Sequence, residues 1–154
     1  MSTQFASDKP ETGVKAMSKQ SWDMSYSVGV AKFDDQHKVL FEYLNQMHDA
    51  IRTNPTAEAI GVVLEGLVNY TLTHFFDEEI ELMKNGYPDY ERHREEHDKL
   101  VSAARDFVVR FKTGKSTPRR LTVEIIAVLT EWLKDHIMVA DKRYSDFLNA
   151  RGVK

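Results

Sequence analysis

HFFDEEIELMKNGYPDYERHREEH, residues 74–97, carries two pairs of polar residues at helical spacing around one turn. It sets His74 and Glu78 four residues apart, turns at Asn85-Gly86-Tyr87-Pro88, then sets His93 and His97 four residues apart. On an α-helix four residues advance by about 400°, so each pair leaves nearly one face within about 6 Å. Two chelating pairs therefore face each other across one helical hairpin. Imidazole together with carboxylate suits iron, zinc or manganese and is a poor set for calcium. The hairpin reads as half of a metal site.

The same periodicity extends outward in both directions. Upstream, Thr56 caps a helix whose buried stripe runs Ile60, Leu64, Leu67, Thr71, His74, Glu78 and Leu82, so polar donors occupy core positions. Downstream, Pro88 suits the first turn of a helix carrying Tyr90, His93, His97, Leu100, Ala104, Phe107 and Phe111 at spacings of three and four. An earlier helix, over roughly residues 34–53, begins at a cap supplied by Asp34 or Asp35. It aligns His37 with Leu40, Phe41, Leu44, Met47 and Ile51, and Asn54-Pro55 ends it. After Gly114 and Pro118 a last helix turns Leu121, Ile125, Leu129, Trp132, His136 and Tyr144 inward. Residues 21–32 read as an extended segment lying against the bundle, and residues 1–20 as a flexible N-terminal arm or linker. No strand pattern competes. The expected fold is all-α, an antiparallel up-down-up-down four-helix bundle over residues 21–154 with an N-terminal arm.

Composition narrows the chemistry. With 154 residues the chain can close one apolar core, and with no cysteine it excludes disulfides, thiolate zinc and iron–sulfur clusters. Any metal must be held by nitrogen and oxygen. A net charge of -3 and the absence of a broad basic face exclude nucleic acid as a partner. No apolar run in the sequence approaches a membrane span of about 20 residues and no signal peptide is evident, so a cytoplasmic protein is expected.

Helix lengths test whether the donors can meet. Counted from the first turn, His37 lies about 18 residues back and His74 about 19 on; from the third turn, His97 lies about 19 back and His136 about 20 on. All four rods deliver their donors at one height. Asp141 is a further donor, five residues after His136, a step that a regular helix would rotate by about 140°. If Asp141 is to join, the helix needs a local wide turn, expected between Met138 and Lys142. A single buried histidine is usually a hydrogen-bonded core residue, but five at one level beside two carboxylates would be costly without a cation. His48 is the control: it returns to His37's stripe about 16 Å along the axis, too far to join.

Seven donors exceed the needs of one ion, so two ions bridged by carboxylates are implied. For two six-coordinate irons, five histidines, two bridging carboxylates and a bridging oxygen leave one position for a small molecule such as dioxygen. Carboxylate-rich sites built on Glu-x-x-His pairs favour oxidation chemistry, and no such pair occurs here. Histidine dominance favours carrying over catalysis.

Trp22 with Val28-Gly29-Val30, Asp35-Gln36-His37, His74-Phe75-Phe76-Asp77-Glu78, His93-Arg94-Glu95-Glu96-His97, and Trp132-Leu133-Lys134-Asp135-His136 with Asp141 together resemble the hemerythrin family, closest to the prokaryotic bacteriohemerythrins. The resemblance spans roughly Trp22 to Leu148. It implies an oxo- or hydroxo-bridged pair of iron ions: His93, His97 and His136 on a six-coordinate iron, His37 and His74 on the other, Glu78 and Asp141 bridging. It also implies an apolar oxygen pocket lined by Leu40, Phe75, Trp132, Leu133 and Ile137. The function expected is reversible dioxygen binding for transport, storage or delivery, not enzymatic turnover. Two alternatives are an oxygen or redox sensor signalling to a protein partner, and a di-iron oxidase or a scavenger of peroxide or nitric oxide.

Overall fold

The computed structural model describes residues 19–53 and 56–154. The helices are α1 (Ala31–Arg52), α2 (Ala57–Lys84), α3 (Tyr90–Lys112), α4 (Pro118–Asp135) and α5 (Lys142–Asn149). A 3-10 turn at Met24–Tyr26 precedes α1, and a π-helical turn at His136–Asp141 joins α4 to α5 without a break. Four rods result, and no strand occurs among the described residues. α1 packs on α2 and α4, and α3 packs on the same two, as the walls of an antiparallel bundle.

Local chemistry sets most of the rod ends. Thr56 and Thr117 accept from the backbone N–H groups of Ala59 and Arg120, at 3.2 and 3.3 Å, and Pro118 occupies the first turn of α4. Gly86 and Gly114 close α2 and α3 with φ of +67° and +64°, the left-handed conformation that favours glycine. Two expected starts are corrected. α1 begins at Ala31, and neither Asp34 nor Asp35 caps it. Asp34 instead turns back to accept from Ser27 Oγ at 2.6 Å and Val28 N at 2.8 Å, while Asp35 pairs with exposed Lys38. Pro88 falls two residues before α3, inside the turn that the Tyr90 N–H closes on the Tyr87 carbonyl. Asn54 and Pro55 lie outside the described residues, as do residues 1–18 of the expected arm. Lys19 and Gln20 are tied to α1 through Asp49 and Asn45.

Residues 21–30 form a strap rather than a simple extended segment. Asp23 caps the 3-10 turn through Ser25 N, and Val28 and Val30 are buried. Lys142 and Ser145 then hold the strap by donating to the carbonyls of Ser27 and Val28. The strap thus closes the end of the bundle on which the π turn lies.

Two apolar clusters fill the interior. One gathers Phe33, Leu40, Phe41, Leu82, Leu133, Ile137, Tyr144 and Leu148. The other gathers Leu44, Met47, Ile60, Leu64, Phe107, Leu121, Ile125 and Ile126. α2 reaches the length and mean hydropathy, 1.2, of a membrane-crossing helix, contrary to the expectation that no segment would. A third of its most apolar window is buried in the bundle, and its inward face carries Thr71, His74 and Glu78. Val62, Leu72, Phe76 and Met83 are exposed on the same helix.

Candidate metal centre

Each rod contributes to one buried polar cluster, which lies among residues of the first apolar cluster. α1 supplies His37, α2 supplies His74 and Glu78, α3 supplies His93 and His97, and the π turn supplies His136 and Asp141. All seven are at most 5% exposed. They divide into two sets whose donor atoms lie within 4.8 Å of one another: Glu78, His93, His97 and His136, and His37, His74, Glu78 and Asp141. Glu78 is common to both. His48 is buried on α1 but belongs to neither set, as the axial distance demanded.

The π turn brings Asp141 into the cluster. Its i→i+5 bonding absorbs the extra residue between His136 and Asp141, cancelling the rotation a regular helix would impose. Asp141 Oδ1 then lies 3.0 Å from His136 Nε2 and 3.5 Å from His93 Nε2, while Oδ2 lies 3.2 Å from His37 Nε2. The expected irregularity is present and begins two residues earlier than Met138.

Several short contacts in the cluster lack hydrogen-bond alignment. Both Asp141 oxygens, both ring nitrogens of His37 and Nδ1 of His136 are buried without a hydrogen-bond partner. His97 Nε2 and His136 Nε2 are 3.1 Å apart, and each is an inward ring nitrogen. Two donors about 2.1 Å from one ion and at right angles to each other lie about 3.0 Å apart. The separations are therefore those of atoms aimed at a shared cation, and the nitrogen and oxygen donors fit iron, zinc or manganese. A cation also answers the cost of orphaned polar atoms in an apolar interior.

Electrostatics separate His74 from His97, whose inward proton a metal would have to displace. Burial pushes the His74 imidazole down to about 3 despite nearby Glu78 and Asp141, so it is neutral and free to donate a lone pair. For His97 burial opposes the charge too, but hydrogen bonds to Glu78 and Glu79 overcome it and raise the group to about 9. Burial opposes ionisation of Glu78, yet bonds from His93 and His97 hold its carboxyl well below the usual range. Burial likewise opposes the Asp141 carboxylate, as does Glu78, while His136 and His37 keep it lowered. Two carboxylates thus remain ionised in the core. Glu78 Oε2 lies 3.0 Å from His93 Nε2 and 3.1 Å from His97 Nε2, and Oε1 accepts from the buried hydroxyl of Tyr144.

Aromatic rings hold the cluster in place. Phe75 lies flat on His97 at 3.7 Å, and Trp132 stacks on His136 at 4.2 Å. Of the residues expected to line an oxygen pocket, Leu40, Trp132 and Leu133 surround an apolar cavity of about 20 Å³, with Leu44, Leu67 and Thr71. Phe75 and Ile137 are buried nearby but do not line it. On its outer side Trp132 also lines an open groove of about 680 Å³ between α3 and α4, with Glu96, Glu131, Asp135 and His136. Trp132 is the wall between groove and cavity.

A family model, the hemerythrin HHE cation-binding domain, matches residues 28–148. This chain belongs to the hemerythrin family. It is 36% identical over 135 residues to the bacteriohemerythrin of Methylococcus capsulatus, covering 87% of this chain and 100% of that protein. It is 34% identical over 125 residues to the bacteriohemerythrin of Pseudomonas aeruginosa, covering 81% of this chain and 78% of that one. A crystal structure of wild-type hemerythrin superposes with a TM-score of 0.74 at 34% identity, covering 84% of this chain and 97% of the other. A leucine-to-alanine variant of hemerythrin superposes at 0.75, with 33% identity over the same shares. Hemerythrins are four-helix bundles, and the four rods here share that architecture.

Behind the seven inward donors stand three residues to which the sequence pattern assigned no role, although Gln36 and Glu96 lie inside the quoted motifs. Gln36, Glu79 and Glu96 each contact the outward nitrogen of a candidate ligand histidine. All three sit next to a candidate ligand in the chain, which is the one signal that could have found them.

Proposed function

We propose that this hemerythrin binds dioxygen reversibly at a pair of iron ions held by His37, His74, Glu78, His93, His97, His136 and Asp141, as a carrier, store or donor and not as an enzyme. The observation that carries the reading is the sharing of carboxylates. Glu78 belongs to both donor sets, and the two oxygens of Asp141 face opposite sets, Oδ2 toward His37 and Oδ1 toward His136. A single ion can chelate both oxygens of one carboxylate, but Asp141 oxygens that face histidines of different sets, with Glu78 common to both sets, suit two adjacent ions.

Iron, when bound, supplies the electrons that let dioxygen bind and leave. The chain's own residues do the rest. Five imidazoles and only two carboxylates limit the anionic charge, which disfavours the high oxidation states that drive oxidation chemistry. Tyr144 keeps Glu78 from swinging away by donating to Oε1. Leu40, Trp132 and Leu133 present apolar surface to the small cavity, where a water would find few polar partners.

The test is direct. The full chain is loaded anaerobically with ferrous iron, its iron content measured, and oxygen admitted. Two irons per chain and a visible charge-transfer band that appears with oxygen and disappears under inert gas support the reading. Irreversible bleaching, or sustained oxygen consumption with an electron donor, would replace it with an oxidase.

A further inference from the structure

Behind the inward donors lies a second layer built from their neighbours in the chain. Gln36 precedes His37 on α1, yet it serves α2: Oε1 accepts from His74 Nδ1 at 2.9 Å, and Nε2 donates to Asp77 Oδ2 at 2.7 Å. Lys32 pairs with that same Asp77 oxygen at 3.0 Å. Glu79 follows Glu78 on α2 but serves α3, with Oε1 2.8 Å from His97 Nδ1. Glu96 precedes His97 on α3 and serves the π turn, with Oε2 3.3 Å from His136 Nδ1 and Oε1 3.8 Å from Arg143. The Glu96 contact is off hydrogen-bond alignment, so it acts through charge more than through a bond.

These contacts have a common effect and an unequal one. Gln36 and Glu79, accepting at Nδ1, fix the proton on the outward nitrogen and direct the inward Nε2 toward a metal, and Glu96 favours the same proton position on His136 through its charge. The partners differ in charge. The three-histidine set is backed by two carboxylates, whereas in the two-histidine set His74 meets a neutral amide and His37 Nδ1 has no partner. A carboxylate drawing on the N–H makes the ring a stronger donor, which favours the more oxidised state of whatever metal the ring binds.

We propose that Glu79, with Glu96, is a positioning residue that makes the three-histidine pocket the more electron-rich one, and that the Gln36 amide keeps the two-histidine pocket the less electron-rich. The two ions then differ in potential although most of their inward donors are alike. This rests on the di-iron reading above. The pocket that would bind a gas is the one whose outer contacts leave it easier to keep ferrous.

The experiment uses the full chain with its iron content measured first, and an electrochemical titration of ferric to ferrous iron. Glu79→Gln keeps an acceptor for His97 and removes the charge; the ferric-to-ferrous ratio at a fixed potential should fall by about tenfold. Gln36→Glu combined with Asp77→Asn moves one charge from Asp77 to the His74 ring at constant net charge, and should raise that ratio. Glu96→Gln should move it in the direction of Glu79→Gln by less. Cobalt(II) binding to the metal-free variants is the second readout, and should stay at two ions per chain. Shifts of opposite sign support the proposal, because a purely structural disturbance has no reason to change sign. Shifts of one sign, or none, in variants that retain two metals overturn it. A wild-type chain that takes up fewer than two irons removes the di-iron reading, and this inference with it, before any variant is compared.

Discussion

The two halves of this bundle are built from the same rods with the same periodicity, yet they are stabilised in opposite ways. In one half Leu44, Met47, Ile60, Leu64, Phe107, Leu121, Ile125 and Ile126 fill the space between the helices with apolar surface. In the other, the corresponding positions hold five histidines and two carboxylates, all buried. The first half needs nothing but its own side chains, since burial of apolar area is favourable for every residue in it. The second carries ionised carboxylates and orphaned nitrogens in an apolar interior, a cost that a cation would offset. One half holds the fold so that the other can hold the charge.

The sharpest way to break this comparison is Glu78→Ala. Glu78 is the one residue in both donor sets, so iron uptake should drop from two per chain toward none, while helix content persists because the apolar half is untouched. Iron analysis with circular dichroism decides it; retention of both ions would mean the sets do not share a bridge. Next in size is the reciprocal change. Leu121→Ala, at a fully buried position of the apolar half, should cost about 2–5 kcal/mol by denaturant unfolding, with iron content and visible spectrum unchanged.

Smaller effects sharpen the boundary of the polar half. Trp132→Ala removes the wall between the outer groove and the cavity, and should hasten oxidation of the oxygenated protein by about tenfold with little loss of iron. Leu133→Ala, inside the cavity, should act in the same direction by less. An unchanged oxidation lifetime in both would mean neither shields the centre.

The smallest effect concerns His48, the buried histidine outside the donor sets. Burial lowers its pKa below 6.5, against a raising influence of Asp49 and together with Lys19. The unfolded chain therefore binds the proton more readily. The neutral ring's contribution is complete above about pH 6.5 and declines as pH falls toward the folded value. His48→Leu should flatten the fall in melting temperature between about pH 7 and 5.5. An identical slope would show that His48 does not titrate with unfolding.

Much of the polar half was legible because donors that are to share one site need fixed spacing. Four-residue steps on α2 and α3 put His74 with Glu78 and His93 with His97 on single faces, and rod lengths on either side of the turns put His37 and His136 at the same height. Helix starts were less legible. Asp34 has the chemistry of a cap, yet the strap competes for its oxygens, and that competition involves residues whose path no local pattern reveals.

The four amphipathic rods, the donors they carry and the height at which they carry them follow from the order of residues alone, because period and length are local properties of a helix. That order also demanded an irregular turn for Asp141 to be of use. That Gln36, Glu79 and Glu96 stand behind histidines of other rods, and that Trp132 lines both groove and cavity, emerged from the packed bundle. Those facts depend on how rods are rotated against one another, and rotation is set by the packing of whole faces, which no single stretch of chain encodes.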